Sequence, residues 1–153
     1  MPIPTRNSGE FYIMFKSKKV KRYEALYIDI AKRVSEMSFA KKMKVGCVLV
    51  KDNNILSYGF NGAPAMFNNE CEDSDGKTLP HVLHAESNCL MKIAKVPMSC
   101  EGATIYCTHS PCMECSKLIA QAGITKVIYA NKYREDSGFY LLKSLEIEVE
   151  QYY

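Results

Sequence analysis

Two residue pairs stand at spacings that chemistry can use. His84 and Glu86 are two apart, and Cys112 and Cys115 are three apart, just after Pro111. Each pair opens a stretch that reads as a helix. Side chains three apart on a helix share a face, so both sulfurs can reach one ion. A histidine from a second helix start supplies a third ligand. Thiolate and imidazole suit Zn²⁺, and a helix N-terminus stabilises the thiolate form. Three protein ligands leave the fourth tetrahedral position open, where a catalytic zinc binds and acidifies a water. A structural zinc closes that position with a fourth side chain. Glu86 need not touch the metal. It can face the water, accept a proton and pass it on.

The surrounding elements must bring these pairs together. His84 to Ala94 reads as a helix with Ala85, Cys89, Leu90 and Ile93 on one face and Pro97 beyond its end. Pro111 to Ala122 reads as a second, with proline near its first turn and Gly123 just past its end. Ala103 to Cys107 is a strand between them. Upstream, Leu26, Ile30, Val34 and Met37 recur every three or four positions and predict an amphipathic helix over Tyr23 to Met37. Val45 to Val50 and Ile55 to Phe60, separated by Asp52-Asn53-Asn54, predict a β-hairpin. Asn61-Gly62-Ala63-Pro64 breaks regular structure, and Ala65 to Pro80 reads as a polar loop. Lys126 to Ala130, Asp136 to Ser144 and Leu145 to Val149 complete the chain as strand, helix and strand. The alternation points to an α/β fold. Its five-stranded sheet is mixed, because a tight hairpin joins antiparallel strands.

The chain has 153 residues, is 47% hydrophobic and carries a formal charge of +3. That suffices for one core and suits a small anionic ligand, without arguing for nucleic acid. Residues 23–153 read as a single domain. Met1 to Arg22 shows no regular pattern, ends in the basic run Lys16, Lys18, Lys19, Lys21 and Arg22, and reads as a solvated arm. No run approaches the ~18 apolar residues that span a bilayer, and Met1 to Glu10 lacks the apolar core of a secretory signal. A cytoplasmic protein with no membrane partner is expected. The cysteine count of seven is odd, which argues against a disulfide framework. Cys47, Cys89 and Cys107 lie in apolar patterns and read as small buried hydrophobes.

His-x-Glu followed by Pro-Cys-x-x-Cys is the known signature of zinc nucleobase deaminases, so the match is a resemblance rather than an independent derivation. The chain resembles the cytidine deaminase superfamily, and within it the deoxycytidylate (dCMP) deaminases, from about Tyr23 to Val149. Beyond the zinc motif, the resemblance rests on Val45-Gly46-Cys47, Gly59-Phe60-Asn61-Gly62-Ala63-Pro64, His84-Ala85-Glu86-Ser87-Asn88, Gln121-Ala122-Gly123-Ile124 and Lys132-Tyr133-Arg134. It implies a three-layer α-β-α fold and hydrolysis of dCMP to dUMP and ammonia. It further implies that the Asn61 amide bonds a sugar hydroxyl, that backbone N–H groups of Ala85 and Cys112 orient the pyrimidine, and that Tyr133 packs on the base or sugar. Arg134 would meet the phosphate, whose oxygens its fork suits. Ser38 and Lys42 are weaker phosphate candidates, since this stretch departs from the family wording. The resemblance also implies a homohexamer regulated by dCTP and dTTP with Mg²⁺ on the triphosphate, through Gly59, Phe60, Asn61 and Gly62. A second, structural zinc recurs in the family. Cys71 and His81 leave its ligand set incomplete, so none is expected. His81 reads as a loop residue and His109 as a strand-end residue near the active-site floor.

Another deaminase on the same scaffold, acting on dCTP, cytidine or transfer-RNA adenosine, is the nearest alternative. The transfer-RNA enzymes typically read Glu-Pro-Cys where this chain has Ser110-Pro111-Cys112. A structural-zinc module would need a closed four-ligand site. The basic N-terminal run lacks the interleaved aromatics of a base-stacking platform, so no stable nucleic-acid partner is expected.

Overall fold

The computed structural model describes the backbone of residues 9–153, with side-chain surroundings from residue 17 onward. The chain forms α1 (Gly9–Ser35), β1 (Gly46–Lys51), β2 (Asn54–Phe60), α2 (Ala85–Ile93), β3 (Thr104–His109), α3 (Met113–Gln121), β4 (Lys126–Asn131), α4 (Ser137–Ser144) and β5 (Glu148–Gln151). The sheet order is β2-β1-β3-β4-β5. β1 pairs antiparallel with β2 and β3, and β3, β4 and β5 run parallel. The expected mixed five-stranded α/β sheet is therefore present. Its hairpin turns at Asp52 and Asn53, with φ of 49° and 62°. Asn and Asp tolerate that left-handed conformation, which matches the twist of the flanking strands.

Strand alternation builds the three layers. Val48, Val50, Tyr106 and Ile128 face one side, where Tyr27, Ile28 and Ala31 of α1 cover them. Cys47, Leu49, Ile105, Cys107, Val127 and Tyr129 face the other. There they meet Ala85, Cys89 and Ile93 of α2, Ile119 of α3 and Leu142 of α4. Both faces of the central strands are buried, which is why these strands read as continuous apolar runs.

Three expectations are corrected. The helix over Tyr23 to Met37 ends at Ser35 and begins at Gly9, so the boundary drawn at residue 22 falls inside α1. Residues 17–22 are exposed, and a stretch with no core to meet acquires no apolar stripe. Residues 1–8 of the arm lie outside the described residues. The buried face of α1 is Tyr27, Ile28 and Ala31, while Leu26 and Met37 are exposed. Two overlapping apolar stripes were available; the one carrying Ala31 covers Val48, Val50, Tyr106 and Ile128, and Gly46 leaves room for its backbone. A β-carbon at Gly46 would lie 2.2 Å from the Ala31 carbonyl oxygen, so only glycine admits the helix there. The last strand is Glu148–Gln151 rather than Leu145 to Val149. Leu145 to Ile147 instead close α4: Glu146 N–H donates to the Lys143 carbonyl, Ile147 N–H to that of Leu142, and Glu146 sits at φ 59°.

Candidate active site

His84 and Cys112 are the N-cap residues of α2 and α3, each with extended backbone. The sheet delivers both helix starts to one place. β3 ends at His109, and the chain turns through Ser110 and Pro111 into α3. The Ser110 N–H donates to the Asn131 carbonyl at the end of parallel β4. Helix α2 is tied to the hairpin by side-chain bonds along its length. Cys47 Sγ donates to the Ala85 carbonyl (3.1 Å), Asn88 Nδ2 to Phe60 (3.0 Å), Ser57 Oγ to Cys89 (2.9 Å) and Lys92 Nζ to Tyr58 (2.8 Å).

His84 Nδ1 lies 3.5 Å from Cys112 Sγ and 3.4 Å from Cys115 Sγ. A tetrahedral zinc with ordinary bond lengths places a nitrogen and a sulfur ligand about 3.6 Å apart. Both nitrogen–sulfur separations are thus close to the edge length of one coordination tetrahedron, and no fourth protein ligand joins the three among the described residues. The Cys112 thiol is held down to about 3 by hydrogen bonds with Cys115 and then His84. The Cys115 thiol is pushed up, first by its bond to Cys112 and then by burial. Two adjacent sulfurs cannot both carry charge without a cation between them, so this donor set suits a divalent ion.

Glu86 is 5% exposed. Burial raises its carboxyl pKa, an effect partly offset by its own backbone N–H and by His84. A carboxyl so placed gives and takes a proton more readily near neutrality than an exposed glutamate. His84, Glu86 and Cys112 line a cavity of about 510 Å³, within the range of small-molecule sites.

The same cavity is lined by Asn61, Ala85, Lys42, Tyr133 and Arg134, all singled out from sequence. Lys42 and Arg134 are exposed at its rim, whereas neighbouring Lys132 pairs with Asp136 at 3.1 Å. Other expected residues take different places. Ser38 is buried at 3% exposure; its Oγ donates to the Asn61 carbonyl and accepts from Ala40 N–H, and it does not line the cavity. Gly59, Phe60 and Gly62 are also outside the lining. Gly59 packs against α2, and Gly62 bridges to Leu83. Asn61 lines the cavity while its amide grips the main chain: Nδ2 donates to the Met43 carbonyl (2.8 Å), and Oδ1 accepts from Val45 N–H (2.8 Å).

Glu72, unremarked in the sequence, reaches the cavity from the long loop. Its Oε1 accepts from Lys41 and Lys42 N–H groups at 2.8 and 3.1 Å. A single acid in a polar loop gives no local signal of such a contact. His109 lines the cavity as a strand-end residue; burial lowers its pKa and Nδ1 lies 2.9 Å from Thr108 Oγ1. Cys71 is buried with its thiol donating to the Asn69 carbonyl, and His81 packs on Phe67 with ring centroids 4.5 Å apart. Cys47, Cys89 and Cys107 are buried core thiols, as their patterns predict. No helix among the described residues is long and apolar enough to cross a membrane.

Residues 21–131 match the family model described as the cytidine and deoxycytidylate deaminase zinc-binding region. A deoxycytidylate deaminase of Saccharomyces cerevisiae is 33% identical over 140 residues, covering 85% of this chain and 45% of that protein. The chain thus spans less than half the length of this fungal relative. The deoxycytidylate deaminase of Mycobacterium phage D29 is 33% identical over 70% of this chain and 93% of its own length. The crystal structure of a dCMP deaminase from cyanophage S-TIM5, in complex with dCMP and dUMP, superposes with a TM-score of 0.84 at 48% identity. The match covers 86% of this chain and 97% of that one. The tetrahedral His-Cys-Cys edges, the mixed-sheet frame and the extent of these matches agree, and the chain belongs to the cytidine and deoxycytidylate deaminase family.

Proposed function

We propose that this protein hydrolyses dCMP to dUMP and ammonia. The observation that carries the reading is the three-ligand His84–Cys112–Cys115 group beside buried Glu86, in a cavity lined by His84, Glu86 and Cys112 together with the exposed Arg134 and Lys42. The cyanophage relative bound to dCMP and dUMP supports a pyrimidine nucleotide as substrate.

His84, Cys112 and Cys115 would hold the zinc ion, which when bound would supply a water acidic enough to attack at neutral pH. Glu86 would take one proton from the attacking water as the water oxygen bonds to C4 of cytosine, and would deliver that proton to N3. The second water proton follows by the same carboxyl to the exocyclic nitrogen. The C4–N bond breaks, ammonia leaves, and C4 keeps the oxygen as the uracil carbonyl. Backbone N–H groups of Ala85 and Cys112 orient the base. Tyr133 packs against the base or sugar, and Asn61 offers the sugar the one amide hydrogen and lone pair its main-chain bonds leave over. Arg134, aided by Lys42, binds the phosphate. The family resemblance of Gly59 to Pro64 carries the further reading of a homohexamer activated by dCTP with Mg²⁺ and inhibited by dTTP.

Ammonia release measured with cytidine, deoxycytidine, dCMP and dCTP, each with and without dCTP or dTTP as effector, tests the whole reading. Preference for dCMP is expected. Faster turnover of the unphosphorylated nucleoside overturns the phosphate role of Arg134.

A further inference from the structure

Two glycines hold the two halves of the metal site by contacts that no other residue can make. Gly59 of β2 lies under the first turn of α2. A β-carbon there would stand 2.4 Å from the Ala85 carbonyl oxygen and 2.6 Å from Cys89 N. Ala85 is the residue between His84 and Glu86. Gly138 of α4 lies against the start of α3. A β-carbon there would stand 2.4 Å from Ser116 Oγ, 2.7 Å from the Pro111 carbonyl oxygen and 2.9 Å from the Cys112 carbonyl carbon. Neither glycine has a positive φ, so the requirement is for space rather than for an unusual backbone.

These obstacles are mostly backbone atoms of the segments that carry the ligands. Backbone cannot rotate aside as a long side chain does. A methyl at either glycine therefore requires the packed segments to part by roughly 0.3–1 Å, more than the about 0.2 Å within which zinc–ligand distances fall. At Gly59 the displaced group is the His84–Glu86 turn. At Gly138 it is the backbone of Cys112 itself. Since His84 Nδ1 already stands at tetrahedral spacing from both sulfurs, movement of either helix start spoils the set.

We infer that Gly59 and Gly138 are positioning residues of the zinc site: their bare α-carbons set the separation between the His84–Glu86 turn and the Cys112–Cys115 turn. This gives Gly59 a steric role where the family resemblance assigns it to effector binding. The inference rests on His84, Cys112 and Cys115 being the zinc ligands.

Gly46 supplies an internal control. A β-carbon there meets the Ala31 carbonyl oxygen at 2.2 Å and Ser35 N at 2.6 Å, a clash of the same kind against α1, which carries no ligand. The experiment compares Gly59→Ala, Gly138→Ala and Gly46→Ala in the full-length protein. Zinc affinity is read by competition with a chromophoric chelator, ligand geometry by the visible absorption of the Co²⁺-substituted protein, and folding by thermal melting. Gly59→Ala and Gly138→Ala should lose about tenfold or more in zinc affinity and alter the cobalt spectrum. Gly46→Ala should lower the melting temperature while holding zinc as wild type does. The double variant Gly138→Ala, Ser116→Ala removes the nearest obstacle and covers the case in which the single variant does not fold. It should still bind zinc more weakly than wild type, because Pro111 and Cys112 still oppose the methyl. Wild-type zinc affinity in either folded glycine variant or in the double variant overturns the inference. So does an equal zinc loss in Gly46→Ala, or failure of both Gly138 variants to fold in saturating zinc. A wild-type chain that binds no zinc instead overturns the ligand assignment itself.

Discussion

Val45 N–H donates a 2.8 Å hydrogen bond to Asn61 Oδ1, joining the end of β2 to the residue that leads into β1. With the Asn61 Nδ2 bond to the Met43 carbonyl, the amide spans three residues of main chain and closes one wall of the cavity. Asn61 thus builds the site as well as facing it. Asn61→Ala removes both bonds from a half-buried setting and should destabilise the fold by about 1–3 kcal/mol, alongside a raised KM for dCMP. Urea denaturation together with steady-state kinetics checks this. A higher KM at unchanged stability would mean that the amide serves the sugar alone.

In the proposed reaction Glu86 carries the proton and holds no metal. Glu86→Gln keeps the shape of the side chain and removes its basicity. Turnover should fall by at least ~100-fold, the usual scale of losing a general acid–base group, with zinc content unchanged by metal analysis. Burial of the carboxylate costs stability, so the melting temperature should stay level or rise. Near-normal turnover in this variant would remove Glu86 from the mechanism.

Cys112, a zinc ligand in the proposed site, has its thiol pKa held down to about 3 by Cys115 and His84. Cys112→Ser should lose zinc and activity together. In the wild type, a chelator should abolish turnover and added Zn²⁺ restore it. Retention of stoichiometric zinc by the serine variant would speak against the ligand set.

Arg134 stands exposed at the cavity rim. If it binds the phosphate, Arg134→Ala should raise KM for dCMP by about 10-fold or more, the scale of a charge-assisted hydrogen bond, and leave deoxycytidine turnover unaffected. Added salt should narrow the gap between wild type and variant. An equal loss on nucleoside and nucleotide would assign Arg134 to something other than the phosphate.

Tyr106 lies between α1 and the sheet, its ring centroid 5.0 Å from that of Tyr27, and burial pushes its pKa up to about 12 from the ordinary 10.0. The native state then binds this proton more tightly than the unfolded chain. Its contribution is fully present below pH 10 and is lost as pH rises towards about 12, a fall of roughly 2–3 kcal/mol. Denaturation curves across this range should show the loss, and Tyr106→Phe should lessen it. Tyrosinate absorption following an unshifted titration would contradict the prediction.

Local pattern carries much of this protein. The ligand chemistry of His84, Cys112 and Cys115 is legible because each pair sits within one helical turn, where spacing alone sets which side chains share a face. The central strands are legible because both of their faces are buried, which leaves them as apolar runs bounded by turn residues. The stop of α3 at Gly123 is legible because a residue at φ 83° costs glycine nothing.

Only the tertiary structure decides what depends on a distant partner. The buried face of α1 is decided by the sheet residues it covers, the second role of Asn61 by the carbonyl and N–H of Met43 and Val45, and the internal place of Ser38 by the Asn61 carbonyl. Glu72 joins the cavity because it caps the Lys41 and Lys42 N–H groups, some thirty residues away in the chain. The sequence by itself determined which atoms can bind zinc and move a proton, since that chemistry belongs to residue types at short spacing. Where those atoms stand was decided by contacts between segments, because a clash or a hydrogen bond across the fold has no counterpart in the local pattern of either partner.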